Sequence, residues 1–232
     1  MSGMHAKPKL NATSEVMSAL EATPLVDSNH PAVGAFACST LAGISTKPRE
    51  RAVALYYAVR DGFRYDPYDL DFSAPAMKAS RVLEVGSGWC IPKAALLAAC
   101  CRSSGIPARL GFADVRNHLS TERMQQLMGT DLFIWHGYTE IWLDNAWRKA
   151  TPAFNIELCQ RFGLAPLEFD GASDSIYHAY DRAGNRHMEY VTERGSFNDI
   201  PLERIASDFL ATYPTWMAQK SALAGTDFSE EV

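Results

Sequence analysis

The segment that most constrains this chain is the apolar run that follows Cys90. From Ala94 to Cys100 every residue is alanine, leucine or cysteine. Gly105 has the position of a glycine that ends a helix, and Pro107 follows two residues later, as is common after a helix C-terminus. The sequence therefore predicts a strongly apolar helix from Cys90 to Ser104.

The remaining elements fall into an order that indicates the fold class. Helices are predicted at 13–22, 31–41, 48–61, 90–104 and 120–128, and a last one at 202–213. Strands are predicted at 108–115, 133–143, 147–150, 167–169, 176–181 and 188–192, with turns at 144–146 and 181–185 and a glycine- and serine-rich loop at 82–88. Helices first and then a helix that leads into an antiparallel sheet indicate an α+β fold, not alternating βα units.

Composition and charge limit the possible partners. The chain has 232 residues, 47% of them hydrophobic, and we expect a single domain over 1–232 with a loose N-terminus at 1–12. The net charge of -5 gives no attraction to nucleic acid or to anionic membranes. Since no apolar run reaches about 18 residues and the N-terminus lacks the apolar core of a signal peptide, we expect a cytoplasmic protein. The oligomeric state is left open.

The five cysteines indicate neither a disulfide framework nor a metal site. Their odd number argues against a closed set of disulfides, and no pair has the Cys-x-x-Cys spacing of a zinc or redox site. The six histidines are scattered along the chain. We therefore expect no metal.

Cys90 is the candidate nucleophile. It follows the tight turn of Gly86, Ser87 and Gly88, and it opens the apolar helix. Free N–H groups and the positive dipole end at a helix N-terminus favour a thiolate. The Cys90 amide is also a candidate oxyanion donor.

His136 is the candidate base for this thiol. It lies in the predicted strand 133–143, where alternation puts His136, Tyr138, Glu140 and Trp142 on one face. Taken alone, this strand favours a half-buried structural histidine. A catalytic role requires that it lie within hydrogen-bonding reach of the nucleophile.

Taken together, these motifs resemble those of the transglutaminase-like superfamily. The motifs are Tyr65-Asp66; Gly86-x-Gly88-Trp89-Cys90; Gly105-Ile106-Pro107-Ala108-Arg109; and His136-x-x-x-Glu140-Ile141-Trp142-Leu143 with Trp147 and Thr151-Pro152. The resemblance covers roughly residues 50–155. It implies a papain-like fold in which a cysteine heads a central helix packed on an antiparallel sheet, with a histidine on an adjacent strand. It also implies acyl transfer through a thioester, without a metal or organic cofactor.

The third catalytic position departs from the family pattern. Where the family usually has an aspartate before a proline, this chain has Thr151, whose hydroxyl can accept a hydrogen bond from an imidazole. Asn155 and Asp131 are the alternatives, in that order. Glu140 lies about 13 Å from His136 along the same strand and is too distant.

The resemblance implies a thiol hydrolase or acyltransferase that acts on a protein, a peptide or a small amide. Hydrolysis is favoured over cross-linking, and the alternative is a non-catalytic papain-like binding module. Trp89, Trp135 and Tyr65 are the candidate substrate-binding residues. Arg109 is more typical of a structural residue, and the insertion at 120–128 is either a lid or a decoration.

Overall fold

The structure is a computed structural model that describes residues 12–118, 120–177, 183–184, 187–223 and 228–231. The helices in this part of the chain are α1 (Ala12–Ser18), α2 (Pro31–Thr40), α3 (Pro48–Gly62), α4 (Ala79–Val85), α5 (Cys90–Ser103), α6 (Glu122–Met128), α7 (Ile156–Arg161), α8 (Leu202–Thr212) and α9 (Pro214–Leu223), with a 3₁₀ helix at Phe228–Glu231. No described helix combines the length and the apolar character that a membrane crossing requires.

Six strands form two sheets in the described residues. The strands are β1 (Arg64–Tyr65), β2 (Ser87–Gly88), β3 (Ala108–Asn117), β4 (Leu132–Leu143), β5 (Ala146–Ala150) and β6 (Met188–Phe197). The main sheet is antiparallel, with the order β5-β4-β3-β6, and β1 and β2 form a short parallel pair. The predicted α+β fold, with an apolar helix packed on an antiparallel sheet, is confirmed.

The apolar helix α5 is the centre of the core. Every residue from Cys90 to Arg102 is buried, as the lack of a polar stripe requires. One face of β4 packs on it. The hydroxyl of Thr139 donates to the carbonyl of Ala94 (2.8 Å), and a Cβ on Gly137 would lie 3.1 Å from the Cα of Ile91. The strand therefore approaches the helix closely at a glycine.

The β4–β5 hairpin has the predicted turn. Asp144 and Asn145 both have positive φ angles, 50° and 62°, which a two-residue type I′ turn requires. Leu143 pairs with Ala146 at the start of the ladder, and Thr139 pairs with Ala150 at its end. This register brings the residue after β5, Thr151, beside the middle of β4.

Predictions for four elements differ from the structure. The predicted loop at 82–88 contains most of α4, which ends at Gly86 in the left-handed conformation (φ 75°). Residues 167–169 form no strand, although the carbonyl of Leu167 accepts hydrogen bonds from the α3 side chains of Tyr56 and Arg60. Residues 202–213 are not the last helix, because Pro214 starts α9. The predicted strand at 176–181 has no strand at its described residues, 176 and 177. Its remainder, most of the turn at 181–185 and nearly all of 1–12 lie outside the described residues.

A buried lysine joins α5 to the chain around it. The side chain of Lys93 is fully buried, and its ammonium donates to the carbonyls of Arg60 (2.9 Å), Phe63 (2.6 Å) and Ala153 (2.7 Å). Two of these carbonyls lie at the C-terminus of α3, where the helix dipole favours a cation. The third belongs to the segment that follows β5. Burial lowers the pKa of Lys93 to about 7, and the three carbonyls favour its charged form.

Replacing this lysine should destabilise the protein. We expect Lys93→Met to lower the free energy of unfolding by about 3 kcal/mol, because three buried carbonyls lose their donor. Lys47→Met is the control, since Lys47 is 76% exposed and binds only Glu50 at the surface. Urea unfolding of both variants provides the measurement. Equal effects would mean that the three carbonyls do not depend on Lys93.

Candidate active site

Cys90 is the first residue of α5, and Trp89 is its N-cap. The pairing of Tyr65 with Gly88 holds the turn that leads to it. The thiol is buried, 6% exposed, and the backbone N–H of Gly137 points to Sγ at an N···S distance of 3.5 Å. The amides of the first helical turn have no partner within the helix, so two elements, β4 and the start of α5, provide donors around this sulfur.

His136 lies beside the same space. Cys90 and His136 both line a cavity of about 40 Å³, with Trp89 and Tyr65 among the other walls. The imidazole is 9% exposed, and its Nε2 atom is buried without a hydrogen-bond partner among the described residues. A buried nitrogen without a partner is rare in proteins, and one that faces a cavity is available for a proton or a ligand.

Burial makes both groups neutral in this structure. It raises the pKa of Cys90 to about 11, although the N–H groups of Gly137, Ile91 and Cys90 itself oppose the shift. Burial also lowers the pKa of His136 to about 4. The helix N-terminus led us to expect a thiolate, but in this structure the thiol is protonated. The loss of hydration raises the pKa of Cys90 more than the backbone N–H groups lower it.

An ionic network fixes the backbone just before His136. Trp135 has a φ of 56°, a strained conformation for a residue with a side chain, and its N–H donates to Oδ1 of Asp114 (3.0 Å). Arg194 binds both carboxylate oxygens of Asp114 and also binds Asp208, which accepts the indole N–H of Trp135. The β3–β4 register shifts between Ala113 and Val115, next to this network. In the sequence Asp114 stands out only as part of a polar cluster with Arg116, Asn117 and His118, and nothing there indicates its contact with Arg194.

The three candidate orienting residues lie in different surroundings. Thr151 lines a small cavity together with His136, and its hydroxyl donates to the carbonyl of Ile176 (2.7 Å). Asn155 accepts the N–H of Tyr65 (3.1 Å) with its side-chain oxygen. The carboxylate of Asp131 is half exposed and forms an ion pair with Arg116 (3.1 Å). Thr151 therefore shares a cavity with the imidazole.

Two of the candidate substrate-binding residues line the cavity, and Trp135 does not. Burial raises the pKa of the Tyr65 hydroxyl well above its ordinary value, and the nearby sulfur of Cys90 raises it further. Trp89 packs against Phe72 and Phe209 and is 5% exposed. Trp135 is fully buried in the core, against Phe112 and Phe197.

Arg109 and Glu140 have structural partners. The guanidinium of Arg109 binds Glu140 (2.5 Å) and Glu15, and it stacks over Trp147 (4.1 Å). The carboxylate of Glu140 is therefore engaged with the arginine. This agrees with the structural interpretation of Arg109.

The chain belongs to the transglutaminase-like superfamily, whose sequence profile matches residues 37–152, half of the chain. No curated protein matches the chain. Two solved structures match with 15% sequence identity: a protein proposed to be a cysteine protease from Cytophaga hutchinsonii (TM-score 0.47, 81% of this chain) and a protein proposed to be a protease from Parabacteroides distasonis (TM-score 0.37, 65% of this chain). The chain spans 55% of the first and 31% of the second.

The close approach at Gly137 should be essential to this geometry. In Gly137→Ala the new Cβ would meet the Cα and Cγ1 of Ile91 at 3.1 Å, so β4 must move away from α5. We expect a loss of about 1–3 kcal/mol in stability and a change in the reactivity of Cys90, measured by thermal unfolding and alkylation rate.

Gly34→Ala is the control for this change. Gly34 lies in α2, and a Cβ there would have no neighbour within 4 Å. It should leave stability unchanged or raise it by up to about 1 kcal/mol. If Gly137→Ala behaves like Gly34→Ala, the strand is not held against the helix at this point.

The neutral His136 should contribute to acid unfolding. Its pKa is 6.5 in an unfolded chain and is lowered to about 4 by burial. Above pH 6.5 both states are neutral and the contribution is complete. As the pH falls from 6.5 to 4, the unfolded state takes up the proton and the folded state does not, so stability falls by up to about 3 kcal/mol.

The measurement is the free energy of unfolding against pH for the wild type and for His136→Gln. The variant should lose this part of the slope between pH 6.5 and 4. His30→Gln, at the partly exposed start of α2, is the control and should keep it. An unchanged slope in His136→Gln would contradict the lowered pKa.

Proposed function

We propose that this protein is a cysteine-dependent acyl-transfer enzyme that cleaves or exchanges an amide bond through a thioester, with Cys90 as nucleophile and His136 as base. One observation carries the proposal. A cysteine at the first turn of a buried helix and a histidine with an unpartnered buried nitrogen line the same cavity. This pairing of residue types and positions is the one that nucleophilic thiol chemistry needs.

The reaction begins from the neutral pair. As Sγ of Cys90 attacks the amide carbonyl carbon, the thiol proton passes to His136 and a C–S bond forms. The amides at the start of α5 stabilise the oxyanion. The C–N bond then breaks, the leaving amine takes the proton from His136, and a thioester remains. Water attacks the thioester with His136 again as base, which releases the acid and restores the thiol.

Hydrolysis is favoured over cross-linking, because the cavity beside Cys90 has room for a few water molecules. About 10–15 Å³ suffices for one water, so 40 Å³ accommodates about three. The substrate is a protein, a peptide or a small amide.

Thr151 is proposed to orient His136. Its hydroxyl proton is used by the carbonyl of Ile176, so its oxygen presents lone pairs to other donors. An imidazole N–H is such a donor in the cavity that both residues line. A neutral acceptor stabilises the imidazolium less than the usual aspartate does.

Labelling of the thiol tests the enzyme proposal. Cys38 is exposed and would react with any small reagent, so the test uses the Cys38→Ser variant. An electrophilic peptide amide or ketone library should then modify Cys90 before Cys100, Cys101 and Cys159, as peptide mapping would show. Cys90→Ser in the same background should abolish the adduct.

Two outcomes separate the enzyme from a binding module. If His136→Gln lowers the labelling rate of Cys90 at neutral pH by a factor of 100 or more, the pair acts together, since general base catalysis contributes about that much. If Cys90 reacts no faster than the buried cysteines of α5, the non-catalytic binding module becomes the better interpretation.

The role of Thr151 has its own test. Thr151→Val should slow the alkylation of Cys90 about tenfold, as expected for one neutral hydrogen bond, and Thr151→Asp should accelerate it by stabilising the imidazolium. The measurement is the pH profile of alkylation. Thr139→Val is the control, because it removes an equivalent hydroxyl–carbonyl bond, to Ala94. Identical profiles in all variants would exclude Thr151 as the orienting residue.

A further inference from the structure

Residues 228–231 lie against the cavity that contains His136. Phe228 is 7% exposed and lines a cavity of about 40 Å³ together with His136. Its ring stacks on Phe162, with 5.3 Å between the ring centroids, and meets the edge of Tyr65 at 6.1 Å. An aromatic side chain therefore fills an aromatic pocket next to the candidate base.

Glu231 binds a set of donors at the other end of this segment. The hydroxyl of Tyr68 donates to both carboxylate oxygens (2.8 Å each), and the hydroxyl of Thr121 donates to one of them (2.8 Å). The guanidinium of Arg123 adds an ion pair at 3.3 Å, and the Glu231 side chain is 13% exposed. Burial, and then the bond to Glu231, raise the pKa of Tyr68, so this hydroxyl remains a donor.

Two of the residues that bind Glu231, Thr121 and Arg123, belong to the insertion at 120–128, which precedes β4. Thr121 caps α6 by accepting the N–H of Met124 (3.2 Å), and Arg123 lies in the first turn of the same helix. The guanidinium of Arg123 also lies over the ring of Tyr68, at 5.3 Å. Donors held in this way form a carboxylate site that is already arranged in the fold.

The two cavities are too small for a peptide while this segment is in place. The Phe228 cavity and the Cys90 cavity are each about 40 Å³, and they share Tyr65, Pro67 and Phe133 as walls. A peptide bond cannot reach the sulfur through such a space unless part of the wall moves. Phe228 lines the cavity on the His136 side and packs on Tyr65, which lines both cavities, so removal of Phe228 would free a wall that separates the pocket from the space beside Cys90.

We infer that residues 228–231 occupy the substrate groove as an internal peptide ligand, and that the groove accepts acyl donors with an aromatic side chain followed three residues later by a carboxylate. This inference rests on the proposed function and specifies its substrate class. Phe228 marks the aromatic subsite. Tyr68, Thr121 and Arg123 form the acidic subsite.

Variants of the segment test its occupancy of the groove. In the Cys38→Ser background, Phe228→Ala and Glu231→Gln should each raise the alkylation rate of Cys90 about tenfold, because loss of either anchor increases the open population. Arg123→Gln should raise the rate in the same way, because it removes the cation that pairs with Glu231. Glu230→Gln is the matched control, since Glu230 is exposed in the same segment and loses the same charge.

A peptide in trans tests the substrate class. The acetylated and amidated tetrapeptide Phe-Ser-Glu-Glu should slow the alkylation of Cys90 in the Phe228→Ala, Glu231→Gln double variant. The same peptide with fluorescein at its N-terminus should bind that variant in an anisotropy titration. Peptides with alanine for the phenylalanine, or with glutamine for the last glutamate, should bind at least tenfold more weakly.

The outcomes distinguish this inference from the proposed function. If the segment variants alkylate at the wild-type rate and the peptide neither binds nor protects, residues 228–231 are a structural strap and the inference is overturned. If the peptide binds but Cys90 never reacts, the groove is supported and the enzyme proposal fails. Thermal unfolding of each variant checks folding, and Glu231→Gln with Arg123→Gln suffices if Phe228→Ala does not fold.

Discussion

The burial of a helix without a polar face is the constraint on which the rest of this structure depends. Every position from Cys90 to Arg102 is removed from water, so the surroundings must satisfy each polar group that the helix carries. Lys93 uses three carbonyls for this purpose, and Arg102 donates to the carbonyls of Ala108, Glu21 and Asn198. The same desolvation acts on the thiol at the N-terminus and sets its protonation state.

The geometry around His136 follows from how β4 meets this helix. Gly137 allows the strand to approach the first turn of α5, and the strained backbone of Trp135 comes immediately before the histidine. Asp114 maintains this strained conformation by accepting the N–H of Trp135, and Arg194 in turn binds Asp114. Strain of this kind persists only where the surroundings fix it, and it is commonly found at functional sites.

The sequence predicts the apolar helix, the pairing of the strands at 133–143 and 147–150, and the turn at 144–146, because each has a local signal in residue type or spacing. It did not predict α4, whose short pattern is interrupted by the glycines that follow, or α9, which begins at a proline directly after α8. Motifs in the sequence indicate Cys90 and His136 as the candidate nucleophile and base. The contributions of Asp208 and Arg194 depend on contacts between residues far apart in the chain, which spacing does not encode.

The buried ammonium of Lys93 has a practical consequence for the study of this fold. An amine reagent reaches this nitrogen only when α3, α5 and the segment after β5 separate, since the side chain is fully buried among them. Under native conditions its rate of modification would therefore report how often this junction opens, in the way that slow amide exchange reports local unfolding. The modification rate of this one lysine would thus measure the opening of the part of the core that supports the thiol.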